Sequence, residues 1–309
     1  MGGRGKVALT KSFRVFGTLV GMAVWSIGLV QAQGRPGIPA RPAGVAAPGA
    51  SSLASSACKT EVFATGRVGS VVDARSFVLD DGREVRLAGL EVPLTPAPGE
   101  SDARAEAAAA AARTARDALA AIVLGEKITL SGTGGPIGAK VDRYGRMLAF
   151  GHVERDGTRT SVAQEMVARG FARVAANVGD RACAAELLGK ERSARERKLG
   201  LWGAAYYAVI GAENGADLVA ENGLFTVAEG KVWSVRESAG TIYLNFGRRW
   251  SEALTVTVLK RNERIFNAGG LDLKKLEKRR VRVRGWVEER NGPRIEATRP
   301  EQIEIAERN

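Results

Sequence analysis

The sequence predicts a mainly β protein with helices (α+β), built from two small β-barrels that follow each other along the chain. In two stretches, segments of alternating apolar and polar residues occur in the order three strands, a helix and two strands. The first stretch begins near residue 58, and the second covers residues 223–309. This order is typical of the OB-fold, a small closed barrel of five strands. We therefore predict an OB-fold barrel followed by a second OB-like barrel.

Turn and cap residues support the elements of the first domain, residues 58–203. Asp80-Asp81-Gly82 is a hairpin turn signal, and a glycine-rich loop covers residues 132–138. Ser101 is suited to cap a helix, and Gly125 is suited to end it. The predicted elements are strands at 62–72, 76–79 and 84–90, a helix at 101–124, one strand on each side of the loop, and helices at 161–169 and 182–199.

The second domain, residues 223–309, follows a predicted linker at residues 204–222, which contains acidic residues but no Lys or Arg. Helical spacing occurs only in "LDLKKLEKR". Strand-like alternation occurs in "FTVAEGKVWSV", "TIYLNFG", "ALTVTVLKR", "VRVRGWVEE" and "RIEATRPEQIEI".

The N-terminus resembles an export signal. Basic residues precede an apolar run that ends in Val30-Gln31-Ala32, a small-residue cleavage pattern. We predict a signal peptide at residues 1–32 and a flexible Gly/Pro/Ala-rich spacer at residues 33–57. The protein is therefore expected to be exported, periplasmic or secreted. The alternative is an uncleaved N-terminal membrane anchor.

Charge and composition narrow the class of partner. The chain has a formal net charge of +12 and is 45% hydrophobic, which excludes a disordered or multi-spanning protein. Loss of the four basic residues of the signal leaves +8. A basic balance favours nucleic acid or another polyanion, or an anionic membrane surface, although many exported proteins are basic and bind neither.

Cys58 and Cys183 are the only cysteines. In an oxidising compartment such a pair is consistent with a disulfide, and the alternative is two unrelated small buried residues. No CxxC motif or Cys/His cluster indicates a metal site formed by these thiols.

Four motifs of the first domain carry a family resemblance. They are "VVDARSFVLDDG", "VRLAGLEVPL", "DRYGRMLAF" and "KERSARERKLGLW". Over residues 65–202 the chain resembles the staphylococcal-nuclease-like (thermonuclease) family. That resemblance implies an OB-fold barrel that binds a nucleic-acid strand, with calcium, a glutamate that activates water, and two arginines that neutralise the phosphate in the transition state.

Part of the site implied by the resemblance is retained. The two catalytic arginines correspond to Arg86 and Arg146, and Tyr144 corresponds to the tyrosine beside the phosphate. The alternative is that both arginines are ordinary surface residues on barrel strands.

The acidic part of the site departs from the family pattern. Asp73 matches the first aspartate of the family's DGDT turn, but Arg75 stands where the metal-binding second aspartate belongs. Glu91 replaces a metal-binding aspartate of the family, and Leu94 replaces the catalytic glutamate. Val92 stands at the position where the family has a carbonyl ligand of the metal. A guanidinium in place of a carboxylate removes a ligand and adds repulsion, so we expect poor calcium binding and no resident cofactor. Leucine cannot act as a general base.

These residues predict an exported, catalytically impaired nuclease-like protein. Arg75, Arg86 and Arg146 are expected to converge and, with Tyr144, to bind nucleic acid or another phosphate polyanion; a decayed site without a ligand is the alternative. A second hypothesis is an active calcium-dependent nuclease with rearranged carboxylates, which would use Glu91 or Glu100. A third is an envelope protein-interaction module, whose protein partners the sequence does not identify.

His152 and the basic second domain each allow two interpretations. His152, the sole histidine, is expected to be an exposed strand residue rather than an acid or base. The second domain holds 18 basic and 12 acidic residues with aromatic residues among them, which suits a single nucleic-acid strand or, alternatively, an ordinary core and a solvated face. Its candidate residues are Trp233, Tyr243, Phe246, Arg248, Arg249, Trp250 and the run 274–286.

Overall fold

The computed structural model describes residues 58–96, 102–132 and 140–306. The predicted signal peptide and spacer, Glu100, Ser101 and most of the glycine-rich loop lie outside the described residues. The strands up to residue 174 are β1 (Glu61–Asp73), β2 (Ser76–Leu79), β3 (Glu84–Leu87), β4 (Leu90–Glu91), β5 (Lys127–Gly132), β6 (Lys140–Val141), β7 (Met147–Arg155), β8 (Thr158–Ser161) and β9 (Arg173–Val174). The helices of the same part are α1 (Ala103–Val123), α2 (Val162–Ala168) and α3 (Arg181–Glu196).

The remaining strands are β10 (Ile210–Gly211), β11 (Phe225–Lys231), β12 (Ser234–Ser238), β13 (Thr241–Asn245), β14 (Thr255–Leu259), β15 (Arg280–Glu289), β16 (Pro293–Glu296) and β17 (Ile303–Ile305). The helices of this part are α4 (Gly215–Val219) and α5 (Glu263–Ala268). Short 3-10 helices lie at Gly200–Gly203, Ala205–Tyr207, Lys260–Asn262, Leu273–Leu276 and Pro300–Gln302. None of the helices in the described ranges is long and apolar enough to cross a membrane.

The first barrel closes through five strands. β1 pairs with β2 and with β5, β2 pairs with β3, and β5 pairs with β7, all antiparallel. The ring is closed by a parallel pairing of β3 with β7. This is the connectivity of the OB-fold, so the predicted fold class is confirmed.

Helix α1 covers this barrel with a narrow apolar face. The buried residues Ala115, Leu119, Ile122 and Val123 recur at helical spacing and join the barrel core. Asp102, rather than the predicted Ser101, caps the helix, because its carboxylate accepts a hydrogen bond from the N–H of Ala105.

Cys58 and Cys183 are joined by a disulfide. Cys183 lies in the first turn of α3 and is buried in the core of the first barrel. The bond therefore ties the chain just before β1 to the helix that follows the barrel strands.

The second barrel repeats the connectivity of the first. β12, β13 and β14 form an antiparallel meander, β14 pairs parallel with β16, and β16 and β11 each pair with β15. β11 and β12 act as one bent first strand, interrupted only at Val232 and Trp233. The result is a second OB-like barrel with its own core.

The helix between its third and fourth strands differs from the sequence prediction. "LDLKKLEKR" forms only the 3-10 turn Leu273–Leu276, and the α-helix at this place is α5. The reason is local, since Gly269 and Gly270 end α5 and Asp272 then caps a new turn by accepting from the N–H of Lys274.

The two barrels share a buried contact. Ala194 and Trp202 from the first barrel pack with Phe225 and Val227 from β11. Residues 204–222 also include β10, which pairs parallel with β11. The division into domains at residues 203 and 223 stays a prediction.

Candidate functional site

The three arginines singled out in the sequence lie on neighbouring strands of the first barrel. Arg86, in β3, pairs in register with Ser76 of β2 and with Leu148 of β7. Arg75 directly precedes β2, and Arg146 directly precedes β7. Strand register thus brings the three residues to one region of the barrel.

Arg86 is the unpartnered member of this group. It is half-buried and makes no hydrogen bond or ion pair with any residue that the structure describes. Burial lowers the pKa of Arg86, and the charges of Arg75 and Arg146 lower it further. The charges of Glu91 and Asp73 act in the opposite direction.

Arg75 is held against an acidic residue. Its Nη1 donates hydrogen bonds to Oε2 of Glu91 and to the carbonyl oxygen of Leu90, each at 3.2 Å. The side chains of Arg75 and Glu91 are only 12% and 8% exposed. The backbone N–H of Arg75 donates to Oδ1 of Asp73 at 2.8 Å. Arg75 therefore donates to oxygen atoms of Asp73, Leu90 and Glu91.

Glu91 has a second cationic neighbour. In the β4–β9 pairing it lies opposite Arg173, whose guanidinium donates to the carbonyl oxygen of Phe225 at 2.7 Å. Burial raises the pKa of the Glu91 carboxyl, while the charges of Arg75 and Arg173 act in the opposite direction. Its Oε1 is buried and has no hydrogen-bond partner among the described residues.

Arg146 is fixed by its own turn. Nε donates to Oδ2 of Asp142 at 2.8 Å, and Nη2 lies 2.7 Å from the same oxygen. The hydrogen bond to Asp142 raises the pKa of Arg146. Tyr144 is 65% exposed, and the Arg146 guanidinium lies 5.1 Å from its ring centre. This turn presents a cation beside an aromatic ring at the barrel surface.

Leu94 and Val92 differ in their surroundings. Val92 is buried in the barrel core, whereas the side chain of Leu94 is 45% exposed. Among the described residues, no group of three or more His, Cys, Asp or Glu residues is arranged to hold a metal ion.

Residues 84–204, which include Arg86, Glu91 and Arg146, match the family described as staphylococcal nuclease homologue. The chain carries a staphylococcal-nuclease-like domain. The match starts at β3 and ends just after the 3-10 helix Gly200–Gly203, so Asp73 and Arg75 lie before it. No curated protein matches the chain.

Two residues of the nuclease-like site were not found by sequence reasoning. Asp142 begins the "DRYGR" motif, and its position before a glycine turn was a usable signal for an Arg146 partner. Arg173 carries no such signal, because its contact with Glu91 arises from a strand pairing between residues far apart in sequence.

His152 is half-buried rather than exposed as expected. It lines a small cavity of the nuclease-like domain together with Gln164, Glu186 and the disulfide. Burial, with a smaller effect of the Arg159 charge, lowers the pKa of His152 to about 4. The histidine is therefore neutral near pH 7.

Proposed function

We propose that this exported protein uses its nuclease-like domain to bind nucleic acid, or another phosphate polyanion, without hydrolysing it efficiently. The observation that carries the proposal is the contrast between two arginines. Arg86 has no anionic partner among the described residues, whereas Arg75 is paired with the carboxylate of Glu91. A phosphate that approaches Arg86 would relieve the repulsion from Arg75 and Arg146.

Binding is supported by the surroundings of Arg86. The Arg146 guanidinium and the exposed ring of Tyr144 lie in the turn before β7, next to the strand that carries Arg86. Guanidinium groups make bidentate hydrogen bonds with phosphate oxygens, and an exposed aromatic ring can stack on a base.

We propose low nuclease activity because of the groups that are available to bind a metal ion and to activate water. A hard cation such as calcium prefers an oxygen-only shell of six to eight ligands. Here a guanidinium nitrogen lies 3.2 Å from the Glu91 carboxylate, so these residues do not suit calcium. Leu94 offers no group that could take a proton from water. Loss of a positioned general base typically reduces the rate by about 10²–10⁴-fold.

Export is proposed from residues 1–32, and the disulfide between Cys58 and Cys183 supports an oxidising compartment.

An active nuclease with rearranged carboxylates is the second candidate, and Glu91 favours it. Burial raises the pKa of this carboxyl, and one of its oxygens has no hydrogen-bond partner among the described residues. A buried carboxyl of this kind is a candidate acid or base. Its pairing with Arg75 opposes that role.

The deciding experiment measures cleavage and binding on the same purified full-length chain. Labelled single-stranded DNA and RNA are incubated with calcium and then with a chelator, and we expect no chelator-sensitive cleavage. Binding of the same strands is measured for Arg86→Ala and for Arg113→Ala. Arg113 is a suitable control because it is exposed on α1 and has no carboxylate partner among the described residues.

The outcomes separate the hypotheses. Binding that weakens for Arg86→Ala but not for Arg113→Ala supports the proposal. Robust calcium-dependent cleavage favours the active nuclease. Equal binding by both variants and the parent chain removes Arg86 from the function, and no retention of either strand at low salt favours the protein-interaction module.

A further inference from the structure

Trp233 lies where the bent first strand of the second barrel is interrupted. It occupies the break between β11, which pairs with β15, and β12, which pairs with β13. Its backbone N–H donates to the carbonyl oxygen of Asn245 at 2.7 Å, which fixes the residue at the end of β13. The indole ring is not part of the core, since Trp233 is 42% exposed.

Two cations from different loops meet on this ring. The Arg248 guanidinium lies 5.1 Å from the ring centre and the Lys278 ammonium lies 4.4 Å from it. Nζ of Lys278 also donates to the carbonyl oxygen of Trp233 at 2.6 Å. Arg248 follows β13 and Lys278 precedes β15, so only the barrel brings them together. We call Trp233, Arg248 and Lys278 the Trp233 cluster.

Neither cation of the cluster has a carboxylate partner among the residues that the structure describes. Two basic residues close to the cluster in sequence are neutralised. Arg249, next to Arg248, pairs with Glu252, and Arg280, two residues after Lys278, pairs with Glu229. Both unpaired cations lie within 5.1 Å of the same ring centre and therefore repel each other, and the negative charge of the indole face offsets only part of that repulsion.

We propose that the Trp233 cluster is a second phosphate-binding site, which takes the backbone of a single nucleic-acid strand. Successive phosphates of one strand, one at each cation, would neutralise both cations and would complete charge-assisted hydrogen bonds. Since both cations lie over the indole ring, the cluster offers a ligand its charges rather than a bare aromatic face. That arrangement suits a phosphodiester better than a bilayer, into which the ring itself would have to insert.

The neighbouring loop favours a nucleic-acid strand over an isolated phosphate. Trp250 lies two residues after Arg248 in the β13–β14 loop, is 64% exposed and is suited to stack on a base. The ligand class is that of the proposed function, but the residues belong to the other barrel. The inference therefore stands or falls independently of Arg86.

The test compares two double variants of the full-length chain that remove equal charge. Arg248→Ala with Lys278→Ala removes the cluster cations. Arg261→Ala with Arg264→Ala is the control, because both arginines are exposed in the β14–β15 connection and have no carboxylate partner in the described ranges. Affinity for an oligo-deoxythymidine of about 15 nucleotides is measured at several salt concentrations, in the parent chain and in an Arg86→Ala background.

We expect the cluster variant alone to lose affinity. The slope of log K against log salt should become shallower by about 1.4, since each phosphate contact on a single strand contributes about 0.7. Trp233→Leu, which keeps both charges but removes the ring that positions them, should lose part of the same affinity. The cluster variant should lose affinity in the Arg86→Ala background as well. That result supports the second site even if Arg86→Ala by itself does not change binding.

Three results would overturn the proposal. Equal losses in the two double variants would indicate nonspecific charge attraction, and no loss in the cluster variant would remove the site. Cluster-dependent binding to phosphatidylglycerol vesicles without binding to the oligonucleotide would identify a membrane surface instead. Thermal unfolding of each variant shows whether it has kept its fold.

Discussion

Nη1 of Arg75 lies 3.2 Å from the Glu91 carboxylate and 3.2 Å from the carbonyl oxygen of Leu90. The Arg75 guanidinium therefore supplies a positive charge beside the buried Glu91.

Arg75→Asp should create calcium affinity that the parent chain lacks. The substitution removes the guanidinium and adds a carboxylate beside Glu91 and Asp73, which gives a hard cation several oxygen ligands. Calcium should then raise the unfolding temperature, with a gain of about 2.7 kcal/mol at a hundredfold excess over the dissociation constant. Arg75→Asn removes the charge without adding a carboxylate and serves as the control. Equal stabilisation of the parent chain by calcium would contradict the proposed loss of the metal site.

Arg86→Gln should stabilise the fold while it weakens binding. Burial, together with the charges of Arg75 and Arg146, lowers the pKa of Arg86 despite the opposite effect of Glu91 and Asp73, so its charge opposes folding. The free energy of unfolding should rise by about 0.5 kcal/mol, since optimised surface charges commonly add about 0.5–2 kcal/mol. Chemical denaturation and oligonucleotide binding on the same variant check both effects. A variant that is destabilised and still binds normally would mean that Arg86 has a structural role.

Arg284→Met should be strongly destabilising, because Arg284 neutralises a buried acid between the barrels. Its Nη2 lies 2.7 Å from Glu191 of α3, and both side chains are almost fully buried. Burial by itself would lower the pKa of Arg284, but Glu191 and Glu304 outweigh it and raise the pKa. Removing one partner of such a pair typically costs about 3–5 kcal/mol.

Two further variants show whether the loss of stability in Arg284→Met comes from the buried ion pair. Adding Glu191→Gln to Arg284→Met should restore part of the loss, since Gln keeps the hydrogen bond with the N–H of Val174 without a buried charge. Arg249→Met, which breaks the exposed pair with Glu252, should change stability little. Similar losses for Arg249→Met and Arg284→Met in urea unfolding would refute the importance of the buried network.

His152 should make the fold sensitive to mild acid. Its pKa is about 4 in the folded chain against 6.5 for an ordinary histidine, so the unfolded chain binds more protons between these values. This contribution is complete above pH 6.5 and is lost as the pH falls toward 4. The free energy of unfolding should change with pH by less than ~1.4 kcal/mol per pH unit, which is the limit for one proton, because the ring is partly exposed.

His152→Gln isolates this effect from the titration of carboxylates. The variant cannot take up the proton, so its stability should fall less steeply with pH than that of the parent chain. Urea unfolding at a series of pH values provides the comparison, and parallel curves would show that His152 is not the group responsible.

The local signals in the sequence were sufficient for the barrels. Period-two alternation gave the strands, and Asp80-Asp81-Gly82 gave a hairpin turn, in which Gly82 adopts a φ of 85°. These signals act between residues close in the chain, so they can be read without the fold. The helix was predicted after Gly270, whereas α5 lies before it and the segment after Gly270 forms only a 3-10 turn.

The sequence also named Arg75, Arg86 and Arg146 as neighbours, and strand register brings them to one region of the barrel, while the loss of a general base at Leu94 stays a prediction. What each arginine does was decided by tertiary structure. Arg75 and Glu91, or Arg173 and Glu91, meet only when strands from separate segments pair. The Trp233 cluster likewise depends on the approach of two loops. Alternation and turn chemistry are local, whereas ion pairing depends on distance in space, and that distance is set by strand register and barrel packing.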